Sequence, residues 1–173
     1  MKMLLSCSLC LLLLLGCLSE PAHSRTLQLD SCSVTVHLYE LRRYHSDIRS
    51  AVLSEDSNIG VKILDKALIT DVQEGQMCCF MQLLMRFYVE RVFGSFGSSW
   101  PQYQRFSSAL ANAFVTIRKD IRSCHCLCEE DTQKKIDSVN AEFIKLEVSQ
   151  AALKAMGELD TVLDWLDALK DKN

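Results

Sequence analysis

The chain has 173 residues, a formal net charge of −3 at pH 7, 49% hydrophobic residues, nine cysteines and only two prolines. That length accommodates one domain with a real core, and the scarcity of proline beside leucine-rich segments favours helices. Acidic and basic residues alternate instead of clustering, which argues against nucleic acid as a partner, and no repeat, low-complexity tract or internal linker divides the chain.

The opening MKMLLSCSLCLLLLLGCLSEPAHSR places one lysine before an unbroken apolar run, then small and polar residues. This is the pattern of a secretory signal peptide. The run ends near Leu18, short of the about 20 apolar residues that span a bilayer, and no second such run follows, so no membrane insertion is expected after cleavage. Ala22 and Ser24 suit the positions before a cut, which makes 1–24 the signal and 25–173 a single secreted domain; a cut nearer Ser19 is the alternative. Cys7, Cys10 and Cys17 leave with the signal.

Val34, Leu38, Leu41, Ile48 and Val52 recur at helical spacing and define the buried face of a first helix. His45 falls on that face and reads as a packed core histidine, with no second histidine nearby to complete a metal site. Glu40, Arg43 and Asp47 form the solvated face, and Arg42 and Arg49, seven apart, share one flank. The next stretch, SEDSNIGVKILDKALITDVQEGQ, has turn residues at both ends and reads as a long connection, a class of segment that often carries function.

A second helix, MCCFMQLLMRFYVERVF, is apolar around much of its circumference and so is expected to be central. GSFGSSWPQ is expected to end it; Gly94 and Gly97 lack the strand and the Gly-Lys-Ser/Thr ending of a phosphate loop. The third helix, YQRFSSALANAFVTIRKDIRSC, buries Phe106, Leu110, Ala113 and Ile117 and points Cys124 inward, where Cys32 is within reach. EED then suits a helix N-terminus, opening a fourth helix that buries Ile136, Val139 and Phe143. In the last helix Ala152, Met156, Leu159, Leu163 and Leu166 form a seam, with Trp165 read as a further core contact. No stretch shows strand-like alternation, and the fold class is an all-α bundle with long connections.

With the signal removed, six cysteines remain in an oxidising compartment: Cys32, Cys78, Cys79, Cys124, Cys126 and Cys128. Disulfides are the default there. Bridges within CC or CHCLC are disfavoured, because bonded cysteines keep their Cα atoms about 5.5 Å apart. Each cysteine of CHCLC must then take one of Cys32, Cys78 and Cys79, and six arrangements remain. Zinc held by these cysteines and His125 is the competing reading, but the C-x-x-C spacing of structural sites is absent, as is a redox motif. No catalytic constellation assembles either: the four histidines are scattered, and H-E-x-x-H and G-x-S-x-G do not occur. The chain reads as a binding protein rather than an enzyme, with no metal or cofactor.

LDSC before the first helix, SNIGVKIL in the connection, CCFMQLLMRFYVERVF, SSALANAFVTIRKDIRSC and the closing KAMGELDTVLDWL together resemble the interleukin-10 family, within it the branch of interleukins 19, 20 and 24. The likeness runs from about Leu29 to Leu166. It implies a compact helical cytokine bundle of about six helices stapled by three disulfides. It implies a monomer that joins two class II cytokine receptor chains, of the interleukin-20 receptor alpha and beta type, and triggers Janus kinase and STAT signalling in immune and epithelial responses. It also implies the pairing Cys32–Cys124, Cys78–Cys126 and Cys79–Cys128, although the one-residue spacing inside CHCLC is tighter than in interleukin-20 and leaves an exchange of the last two partners open. One receptor chain is expected at the first helix, the connection and the last helix, the other at the first and third helices. The expected contact residues are Arg42 and Arg49, then Lys62, Leu64 and Asp65, and Lys119. The alternative function is a secreted carrier of a small apolar ligand, which needs a cavity of a few hundred Å³.

Overall fold

The computed structural model describes residues 24–169; the expected signal segment lies, through residue 23, outside them. The described chain opens with two antiparallel strands, β1 (Arg25–Leu29) and β2 (Cys32–Val36), with Leu29 opposite Cys32. This corrects the expectation of no strands. Leu27, Leu29, Val34 and Val36 are buried while Thr26, Gln28, Ser33 and Thr35 face out, a two-residue period. Val34 stands four residues before Leu38, so its spacing also matches a helical step and conceals the strand. Asp30 turns the hairpin with φ of 56°, a conformation aspartate tolerates better than most residues. Its carboxylate then accepts from the Cys78 amide at 2.8 Å, which caps the start of the central helix.

Helix α1 (Leu38–Glu55) buries Leu38, Leu41, His45, Ile48 and Val52. In the connection that follows, a short 3-10 turn (Lys66–Leu68) is capped by Asp65, and Ile63 and Leu64 plug into the core.

The central helix does not stop at Gly94. It runs as Met77–Phe87, a π-helical turn Tyr88–Val92, and Phe93–Ser99; together these are α2. The wide turn is closed by the Phe93 amide, which donates to Tyr88 O five residues back. Tyr88, Phe93 and Phe96 are all buried on this helix, and burying aromatic rings outweighs the roughly 1 kcal/mol cost of each helical glycine. Phe93 and Tyr88 both pack on Phe114.

Helix α3 (Gln104–Arg122) buries Ser107, Leu110, Phe114, Ile117 and Ile121; Phe106 and Ala113, expected inside, are half-buried, because the buried stripe is turned toward Phe114. Helix α4 (Glu130–Ile144) begins in the acidic run as expected. Its start is tied to that of α2 by the buried Gln76, whose Oε1 accepts from the Glu129 amide and the Thr132 hydroxyl.

The last seam is divided into α5 (Val148–Gly157) and α6 (Leu159–Ala168). Its five seam residues are buried, as is Trp165, at 5% exposure, with its ring 5.8 Å from Phe80. Gly157 lies where α1 comes closest: a Cβ there would stand 3.2 Å from Leu53 Cδ2, so the small residue lets the α5–α6 junction lie against α1. Three disulfides close one end of the bundle, Cys32–Cys124, Cys78–Cys126 and Cys79–Cys128, with Cα separations of 5.8, 5.6 and 5.2 Å.

Candidate functional site

The flank of α1 that carries Arg42 and Arg49 faces a row of aspartates on α6. Arg42 donates to Asp164 at 3.0 Å and to the carbonyl of Leu163 at 3.2 Å, with Asp167 within 3.9 Å. Arg49 is ion-paired with Asp160, and Arg25 of the hairpin reaches Asp167 at 2.7 Å. These groups are substantially exposed, and such pairs contribute little to stability in water. Their consequence is geometric: arginine forks and carboxylates are held in a fixed alternating pattern on an open surface.

His45 closes the floor of this seam. It is 2% exposed, its Nε2 lies 3.0 Å from Met156 O, and its Nδ1 lies 3.0 Å from Asp160 Oδ1. The expectation of a packed core histidine is met; both neighbours are acceptors, and the neutral ring, with one N–H, donates to one of them at a time. Burial pulls its pKa below the ordinary 6.5, and outweighs the opposing pull of Asp160 and of the Met156 carbonyl. The unfolded chain therefore takes the proton first as pH falls, so the stability from neutral His45 is complete above about pH 6.5 and is lost as pH drops through the folded value. The melting temperature should decline from pH 7.5 to 5.5, and His45→Gln should flatten that decline. Equal slopes in the two proteins would assign the pH dependence to other groups.

The long connection is latched to the same end of α5 and α6. Glu158, at their junction, accepts from the Ile63 amide at 3.0 Å and the Leu64 amide at 2.7 Å. Its carboxyl is pushed above the ordinary value by burial, against the pull of those amides and of Lys154. Lys154 itself reaches Asp56 Oδ2 at 2.8 Å and Asn58 O at 3.0 Å, an almost enclosed pair. Two charged groups thus pin both sides of the turn at 58–64.

This latch decides which side chains of the connection are presented. Leu64 is only 3% exposed, so its selection as a surface contact is corrected: the Glu158 carboxylate draws its backbone inward and its side chain joins the core. Lys62 is exposed, and the exposed Asp65 uses Oδ1 to cap Ala67 N at 2.9 Å. Ile59, absent from the expected contacts, is 95% exposed beside Gly60 at φ of 88°. An isoleucine in the turn sequence S-N-I-G was the available signal. Lys119 is exposed on α3, one turn after Val115, which is 49% exposed. The structure therefore gathers Arg42, Arg49, Lys62 and Asp65 around α1, the connection and α6, and places Lys119 on α3.

Among the described residues no group of histidine, cysteine or carboxylate side chains is arranged to hold a metal, and no helix is long and apolar enough to cross a membrane.

The Interleukin 10 family model matches residues 6–170 of the chain. Interleukin-20 of Mus musculus is 37% identical over 150 residues, covering 84% of this chain and 85% of that protein. Interleukin-19 of Mus musculus is 30% identical over 150 residues, covering 77% and 85%. The crystal structure of human interleukin-19 superposes with a TM-score of 0.69 at 29% identity, over 76% of this chain and 87% of that one. Together with the helical bundle and its cystine-closed end, these likenesses establish that the chain belongs to the interleukin-10 family, as a cytokine and not an enzyme.

Proposed function

We propose that residues 1–24 are a cleaved signal and that 25–173 is a secreted, monomeric cytokine acting by bringing together two class II cytokine receptor chains. In this reading the chains are of the interleukin-20 receptor alpha and beta type, and their pairing activates Janus kinases and STAT proteins in immune and epithelial responses.

The observation that carries it is the side of the bundle where α1 is ion-paired to α6 and the connection is latched to α5 and the α5–α6 junction. Ile59 offers an apolar side chain, 95% exposed, in a connection that also exposes Lys62 and Asp65, a mixture of apolar and charged groups suited to an interface. Arg42 and Arg49 are already oriented by their aspartates, which lowers the ordering cost of binding. Val115 and Lys119 on α3 suit the second receptor chain. The three disulfides fit an oxidising destination.

The carrier reading is disfavoured by the interior. Tyr88, Phe80, Phe96 and Phe114 fill the centre of the bundle, and the hollows of about 390 and 410 Å³ border charged Glu90 and Arg91 at the surface.

The test is binding of the refolded, disulfide-intact mature protein to immobilised class II receptor ectodomains, singly and in pairs. Tight binding to one pair is expected, and Ile59→Ala or Arg49→Ala should each weaken it about tenfold, the scale of an interface anchor. A helical monomer that binds no pair would remove the receptor reading.

A further inference from the structure

A second charged surface lies on α2, α3 and α4, and the α1–α6 seam contributes nothing to it. Arg86 and Arg91 on α2 and Arg118 and Arg122 on α3 line a trough with Glu90, which reaches past Asp137 on α4. Its two joined hollows measure about 390 and 290 Å³. Four guanidinium groups meet two carboxylates here, in a chain whose net charge is −3. The sequence disperses these arginines over 86–122, and the packing of α3 on α2 gathers them.

Glu90 orders the trough without neutralising it. One of its oxygens accepts from Arg86 Nε at 3.0 Å and the other from Arg118 at 2.8 Å. The Arg86 hydrogen bond, more than the nearby Arg118, holds its carboxyl below the ordinary range. The terminal nitrogens of Arg86 are left for another acceptor. Arg91 and Arg122 make no side-chain ion pair or hydrogen bond among the described residues.

We propose that this trough binds a sulfated polysaccharide of the heparan-sulfate class. Guanidinium forks match sulfate oxygens two by two, and cations spread over two helices suit an extended chain bearing many sulfates better than one compact anion. Phe87, the aromatic residue that lines the trough, is buried, so it presents no platform for stacking the bases of a single-stranded nucleic acid. The choice of an extracellular polyanion rests on the secretion proposed above; the trough itself does not depend on receptor binding.

The experiment is titration of a heparin-derived hexasaccharide into the refolded mature protein at 0.15 M NaCl, followed by isothermal calorimetry, about the ionic strength at which only close charge pairing survives screening. Saturable binding that weakens steadily with added salt is expected. The double reversal Arg91→Glu with Arg122→Glu, both exposed and unpaired, should raise Kd at least about tenfold with the helical spectrum unchanged. Arg43→Glu, an exposed reversal on α1, should leave Kd as it was. Absence of binding at this salt would overturn the proposal. So would a double reversal without effect, an Arg43→Glu loss equal to that of the double variant, or tighter binding of a single-stranded oligonucleotide than of the hexasaccharide.

Discussion

Replacing Cys32 and Cys124 together by alanine is expected to cost about 4 kcal/mol of stability, roughly twice the loss from removing either of the other two disulfides. Sequence separations of 92, 48 and 49 residues suggest a milder ranking, but the bridges are not independent. Cys78–Cys126 and Cys79–Cys128 join adjacent positions to near-adjacent ones, so with either in place the other closes a ring of only about five residues, worth about 2 kcal/mol of chain entropy. Cys32–Cys124 closes a separate ring of about 50 residues through Cys78–Cys126, which corresponds to about 4 kcal/mol. It also ties down the hairpin whose Asp30 caps α2. Urea unfolding of the three double-alanine variants gives the comparison directly. Equal losses for all three would show that the adjacent bridges are not redundant in the unfolded chain.

Glu158→Ala should release the connection. The substitution removes the only side-chain acceptor, among the described residues, of the Ile63 and Leu64 amides, and charge-assisted hydrogen bonds of this kind contribute about 2 kcal/mol. The expected result is that loss in urea unfolding, together with faster hydrogen exchange at those two amides. On the receptor reading proposed above, affinity for the chain that meets α1 and the connection should fall more than about tenfold, because Ile59 and Lys62 lose their fixed presentation. Glu158→Gln keeps one oxygen in place and should recover part of both. A fall in affinity with unchanged exchange at Ile63 and Leu64 would make Glu158 a direct contact instead of a positioning residue.

Much of the bundle was legible because a helix writes its buried face into a short window. The core faces of α1, α4 and the α5–α6 seam needed only the recurrence of Leu38, Leu41, Ile48 and Val52, of Ile136, Val139 and Phe143, and of Ala152 through Leu166. The same local reading misjudged places where two periods coincide or where distant packing overrides propensity. Val34 fits both a strand and a helical step. Gly94 and Gly97 signal an end that Phe93 and Phe96 carry α2 past. Leu64 looked like a surface candidate until a carboxylate 94 residues away claimed its amide.

By itself the sequence determined the helical class, the secretory expectation, the likeness to a cytokine family and the small set of bridges that six cysteines permit, because each depends on residue type and spacing along the chain. Tertiary structure decided which aspartates orient Arg42 and Arg49, which residue of the connection stands out into solvent, and that four scattered arginines share one trough. Those properties depend on distances between segments tens to more than a hundred residues apart, and only packing in three dimensions fixes such distances.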